Sequence, residues 1–221
     1  FLAPDGTEVR SSGDDRLVVA FSHHTPPTMD ATDPDPARPG ERRVLGEELV
    51  ATLLRYPNVV AWVNGHTHTN QLAPHRRPDG RTSGFWEITT ASHVDWPQQA
   101  RVVEIVDNRD GTLSLFGTMI EHAAPAVVDP DATDVVGLAG LARELGANDA
   151  SANPAAKAGD LLARNVELVL PAPFADPRLP SPPRATKPVP CVARPCFAAL
   201  VSASVTAPRM ASISSDPTWP S

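Results

Sequence analysis

Short Val-rich runs alternate with polar loops along this chain, and two of the runs end in histidines. The first, Arg16 to Ser22, is apolar between its ends, as a buried strand is, and it leads into His23-His24. The second, Val59-Val60-Ala61-Trp62-Val63, runs straight into Asn64-Gly65-His66-Thr67-His68. Between them lie a Pro- and Asp-rich loop from Thr25 to Gly40 and a segment with helical spacing from Glu41 to Tyr56. In that segment Leu45, Leu49 and Leu53 share a face, Val44 and Leu54 flank it, and Pro57 stops it. A helix joining two strands makes them parallel neighbours, so both sets of histidines are expected at one edge of one sheet.

Beyond His68 the pattern predicts a polar loop from His75 to Ser83 and then strands at Phe85–Thr90, Arg101–Asp107 and Thr112–Ile120. Asn108-Arg109-Asp110-Gly111 is the hairpin turn between the last two, because Asp-Gly accepts the positive φ a tight turn imposes. Leu113, Leu115 and Met119 fall on one side of the final strand. A last helix is predicted from Asp134, a good N-cap, to Gly146, with Leu138, Leu141 and Leu145 facing inward. The order, strand–helix–strand and then a meander followed by a helix, is that of an α/β layered fold.

Composition divides the chain near residue 170. Residues 1–170 carry 14 Lys and Arg against 24 Asp and Glu, whereas residues 171–221 carry 5 against 2, with 12 prolines and no glycine. Proline at that density excludes helices and sheet ladders, so 171–221 is expected to be a disordered tail. Of the 19 basic residues 17 are arginine, a sign of GC-rich coding DNA, and a frame-shifted reading would give a tail of this kind. Cys191 and Cys196, both in the tail, have no second Cys or His pair beside them and read as incidental thiols.

The net charge of -7 argues against nucleic acid as a partner. No apolar run approaches the ~20 residues of a membrane span, and the first residues lack the pattern of a secretory leader. The chain opens on Phe1 and reads as part of something longer.

Four imidazoles at one sheet edge point to a metal, since ligands gather beyond the carboxyl ends of strands in open α/β sheets and imidazole suits Zn, Fe and Ni. The single residue between His66 and His68 places both rings on one side of an extended chain, or on a turn lets them splay toward two ions. Gly65 permits such a turn. His75, His93 and His122 read individually as polar residues satisfied by their surroundings. Asp30, Asp33 and Asp35 read as parts of a solvated loop held open by prolines.

Phe21-Ser22-His23-His24 and Asn64-Gly65-His66-Thr67-His68 resemble the last two metal-binding motifs of the calcineurin-like metallophosphoesterases. Ser22-His23-His24-Thr25 with Met29, Thr90 to Gln99, and Arg164-Asn165-Val166 resemble an actinobacterial-type branch of that family. The resemblance spans most of residues 16–170.

It implies the C-terminal half of a metallophosphoesterase-type layered β-sandwich flanked by helices. It also implies a hydrolase that cleaves phosphomonoesters or phosphodiesters with two metal ions (Mn, Fe, Zn or Ni). His23 and His66 would hold one ion and His68 the other; His24 would face the phosphate as a catalytic group, and Asn70, His93 and Asp95 would line the site or shape its turn. The family's earlier motifs, including the bridging carboxylate, have no counterpart in Phe1–Arg16, so the chain is expected to hold half of the site. The alternatives are a non-catalytic metal-binding module and an inactive truncated remnant. Unpaired sheet edges left by the absent half would favour self-association.

Overall fold

The parallel pairing expected of the two histidine-bearing strands is present. The computed structural model describes residues 16–77, 84–124, 129–149 and 153–173. In it β1 (Val18–Phe21) and β2 (Val59–Asn64) run parallel, with Val19 opposite Ala61 and Phe21 opposite Val63. One extra residue of β2 is taken up between Val18 and Val19, so Val59 and Ala61 face consecutive residues of β1. β4 (Phe85–Thr89) adds parallel to β2, and β3 (Gln71–His75) closes the sheet antiparallel to β4, in the order β1-β2-β4-β3.

A second, antiparallel sheet contains β5 (Gln99–Asp107), β6 (Thr112–Glu121) and β7 (Val166–Pro171). The two sheets meet face to face. Val60, Ala61 and Ile88 of the first form one core with Ile105, Leu113, Leu115, Val166, Leu168 and Leu170 of the second. A smaller cluster, Val59, Trp62 and Phe85, lies on the opposite face of the first sheet beneath Leu49, Leu53 and Leu54 of α1 (Gly46–Leu54). The result is a mixed α/β architecture of two sheets flanked by helices. Among the described residues no helix is long and apolar enough to cross a membrane.

Four local expectations change. The helix begins at Gly46, five residues later than its leucine spacing suggested, because the chain must first pass the 3₁₀ turn at Pro26–Thr28. Gly46 donates to the Met29 carbonyl at 2.9 Å, and a Cβ there would lie 2.0 Å from the Pro26 oxygen. Leu138 and Leu145 do not face inward; they are 49% and 64% exposed, and α2 (Val135–Ala147) buries Gly140 and brings Gly146 against Trp96 instead. Its N-cap is Asp134 as expected, the carboxylate accepting from the Gly137 amide at 2.8 Å. Two strands have no counterpart in the expected order. β3 contains Pro74, which an edge strand tolerates, and β7 runs on through Pro171, where Ala172 donates to the Gly111 carbonyl. The tail from residue 174 onward, with Cys191 and Cys196, lies outside the described residues.

A buried knot joins the loop after the second histidine motif to the far sheet. The Asn70 side chain donates to Gln99 Oε1 at 2.7 Å and accepts from the Ala91 amide at 3.1 Å and from Arg101 Nη2 at 3.3 Å. Arg101 also donates to the Ala163 carbonyl at 2.6 Å. Burial pushes its guanidinium down to about 10, so it stays charged at neutral pH. The turn that closes over Asn70 carries Gly159 at φ 71°, where any side chain would be strained and would meet the Asn70 carbonyl.

Candidate metal centre

Both histidine motifs sit at the carboxyl ends of parallel neighbours, and the backbone ties those ends together. Ser22 donates its amide to the Val63 carbonyl at 3.1 Å, and Gly65 donates to the His23 carbonyl at 3.0 Å. A side-chain bridge repeats the link: Trp62 Nε1 donates to Ser22 Oγ at 2.8 Å, and that hydroxyl donates to the His24 carbonyl at 2.7 Å. The turn beyond β2 places His66 and His68 in the left-handed region, at φ 64° and 54°. Such conformations cost on the order of 1–3 kcal/mol each for residues with a side chain and cluster at functional sites.

This turn splays the two rings apart. His66 joins His23 and His24, and one ligand atom from each of the three lies within 4.8 Å of the others. His66 Nδ1 and His23 Nε2 are 3.2 Å apart, and the His24 and His66 rings lie 4.0 Å apart between centroids. His24 Nδ1 is 3.2 Å from the Thr28 hydroxyl, a partner that fixes the ring while leaving Nε2 as its other donor atom. His68 is not in this cluster. Its Nδ1 contacts Asp95 Oδ2 at 2.6 Å. Asp95 is presented by a turn in which Ser92 Oγ accepts from the Val94 and Asp95 amides, both at 3.1 Å.

The donor set fits one metal ion. Two imidazole nitrogens at ~2.0–2.1 Å from a tetrahedral zinc stand about 3.3 Å from each other, close to the 3.2 Å between His66 and His23. All three side chains are exposed at the sheet edge, so an ion and further ligands have access. The cluster contains no carboxylate, and it is the one such group among the described residues.

The other sequence candidates fall elsewhere. Asn70 belongs to the buried knot, and His93 is exposed. His75 and His122 are satisfied by neighbours, as read from the sequence: His75 Nε2 meets Glu87 Oε2 at 2.7 Å and its ring stacks on Phe85, while His122 Nε2 meets Gln98 Oε1 at 2.9 Å. Asp35 accepts from the Ala37 amide and pairs with Arg38 in the loop, away from the imidazoles. What the sequence reading missed is a buried chain of polar groups on the helix-side face of the first sheet. Asn64 Nδ2 donates to Glu87 Oε1 at 2.8 Å, and Thr89 Oγ1 donates to Asn64 Oδ1 at 2.7 Å, holding the residue just before Gly65-His66. The available signal was Glu87 itself, a carboxylate in the middle of Phe85-Trp86-Glu87-Ile88, which burial obliges to find partners.

Partial loss of water around its ring, and then the neighbouring imidazoles of His24, His23 and His68, hold the exposed His66 below its ordinary value of 6.5. His122 is lowered as well, by burial and then by Arg143. Below pH 6.5 the unfolded chain therefore binds protons that the folded chain refuses, and stability is lost as pH falls through the folded values. The chelator-treated chain is expected to show a lower urea midpoint at pH 5 than at pH 7.5, with His122→Gln narrowing the difference. Equal midpoints would refute this.

No family model matches the chain, and no curated protein matches it.

Proposed function

We propose that this chain carries the histidine half of a metal-dependent phosphoesterase site, with His23, His24 and His66 as ligands of one ion. The observation behind this reading is the convergence of the three imidazoles from the ends of two parallel strands. The ordered likeness of both motifs to those of calcineurin-like metallophosphoesterases supports it. A divalent ion held there supplies Lewis-acid charge for a phosphoryl oxygen and acidifies a bound water. The chain's own residues do the rest: the Trp62–Ser22 bridge and the Asn64–Glu87 bond fix the two turns, and Thr28 orients the His24 ring. Asp95 holds His68 Nδ1, leaving Nε2 to face a phosphate oxygen or to serve a second ion. That second ion requires carboxylate ligands which the described residues do not bring to the cluster.

The missing carboxylate favours one other reading, a metal-binding module without turnover. One titration separates the two. The chain is loaded with zinc or manganese, its metal content is measured, and inorganic phosphate is titrated into the loaded and the chelated forms. Close to one ion per chain, with phosphate binding only to the loaded form, is expected of the ester site. An ion without phosphate binding identifies the module, and no ion at micromolar metal refutes both. β1 is the edge of its sheet among the described residues and Phe21 is 70% exposed, which supports self-association through that edge as part of the same proposal.

A further inference from the structure

A groove of about 360 Å³ opens beside the metal centre, lined by His24, Thr28, Met29, Ala31, Arg43 and Val44. His24 belongs to both places, so an anion on the ion has the groove as its neighbour. The lining divides by chemistry. Met29, Ala31 and Val44 offer apolar surface, and Arg43 offers a positive charge.

The loop leading into α1 carries three arginines, and two are neutralised by carboxylates. Arg38 pairs with Asp35 and Glu41 at 3.6 and 3.1 Å, and Arg42 pairs with Glu48 at 2.6 Å. Arg43 forms no ion pair among the described residues. Its Nε donates to the Asp33 main-chain carbonyl at 2.7 Å, which anchors the guanidinium without cancelling its charge. The arginine left uncancelled is the one that lines the groove.

We propose that the groove selects the ester's leaving group. It takes an alcohol with a small apolar body and a second negative charge, which Arg43 receives while the phosphoryl group stands at the ion. This rests on the metal–ester reading above and narrows its substrate class. A bare alkyl or aryl phosphate fills the apolar part and leaves the arginine without a partner.

The test uses two non-hydrolysable probes, benzylphosphonate and 4-carboxybenzylphosphonate, titrated calorimetrically into the zinc-loaded chain. Because Arg43 is exposed, its contribution is that of a surface ion pair. The carboxylated probe is expected to bind about fivefold more tightly, a ratio at the upper end of what such a pair provides. Arg43→Ala should bring the ratio to about one, and raising the salt to 0.5 M should shrink it in the unaltered chain. Equal affinities, or a preference that survives Arg43→Ala, overturns the assignment. Inorganic phosphate run alongside separates the two levels. If phosphate binds and the probes are not distinguished, only the groove assignment falls. If phosphate does not bind the loaded chain, the ester reading falls and takes the groove assignment with it.

Discussion

Replacing His66 with alanine is expected to lower the zinc affinity of the chain by at least about 100-fold, more than outer hydrogen-bonding partners of metal ligands usually cost. His66 closes the triangle with His23 and His24, its Nδ1 3.2 Å from His23 Nε2 and its ring centroid 4.0 Å from that of His24, so its removal leaves two imidazoles from adjacent positions of one turn. His23→Ala should have a similar effect. His68→Ala should cost about tenfold or less, because His68 is held by Asp95 and lies outside the three-donor group. Competition against a chromophoric chelator measures all three, with circular dichroism confirming that each variant folds. A His68→Ala loss as large as that of His66→Ala would place His68 on the ion and overturn the three-imidazole assignment.

The largest effect on stability is expected at Trp62. It is the largest of the fully buried side chains, it fills the cluster beneath α1, and its indole reaches across to β1. Truncation to alanine creates a cavity and removes the bond to Ser22, which together cost about 3–5 kcal/mol. For a chain of this size that lowers the melting temperature by roughly 6–20 °C. Trp62→Phe keeps most of the volume but removes the indole donor and part of the ring, a smaller loss on the order of 1–2 kcal/mol. If the bridge positions His24, Trp62→Phe weakens zinc binding more than Leu115→Ala, a core substitution in the opposite sheet. Equal zinc affinities in the two variants would show that the bridge serves packing alone.

The site was legible to the extent that it depends on strand order. A Val-rich run ending in histidines, a helical spacing, and a second such run are enough to predict a parallel pair, and the pairing follows. What the pattern does not carry is which way each ring turns. His66 and His68 are separated by one residue, and only the left-handed backbone at both sends one toward His23 and the other toward Asp95. Left-handed histidines leave no periodic trace, and Gly65 marks only that a turn is near. The leucines of α2 failed for a different reason. Periodicity identifies the apolar stripe of a helix, but Gly140 and Gly146 on another face allow a closer approach than leucine does, and the helix sits on that face. β3 was hidden by Pro74, whose penalty vanishes at a sheet edge.

The parallel crossover has a mechanical consequence. His23 and His66 stand 43 positions apart in sequence, so an ion shared by them is a cross-link closing a long loop of chain. By the loop-closure relation used for disulfides, a permanent link of that span amounts to about 4 kcal/mol of restraint on the unfolded chain. The enclosed stretch includes the exposed segment from Ala31 to Pro34, a natural place for proteolytic cutting. A chain cut there keeps its N-terminal piece through β1, through the Trp62–Ser22 bond and the Pro26–Thr28 turn packed on Gly46, and the ion would add a further fastener between two separate polypeptides.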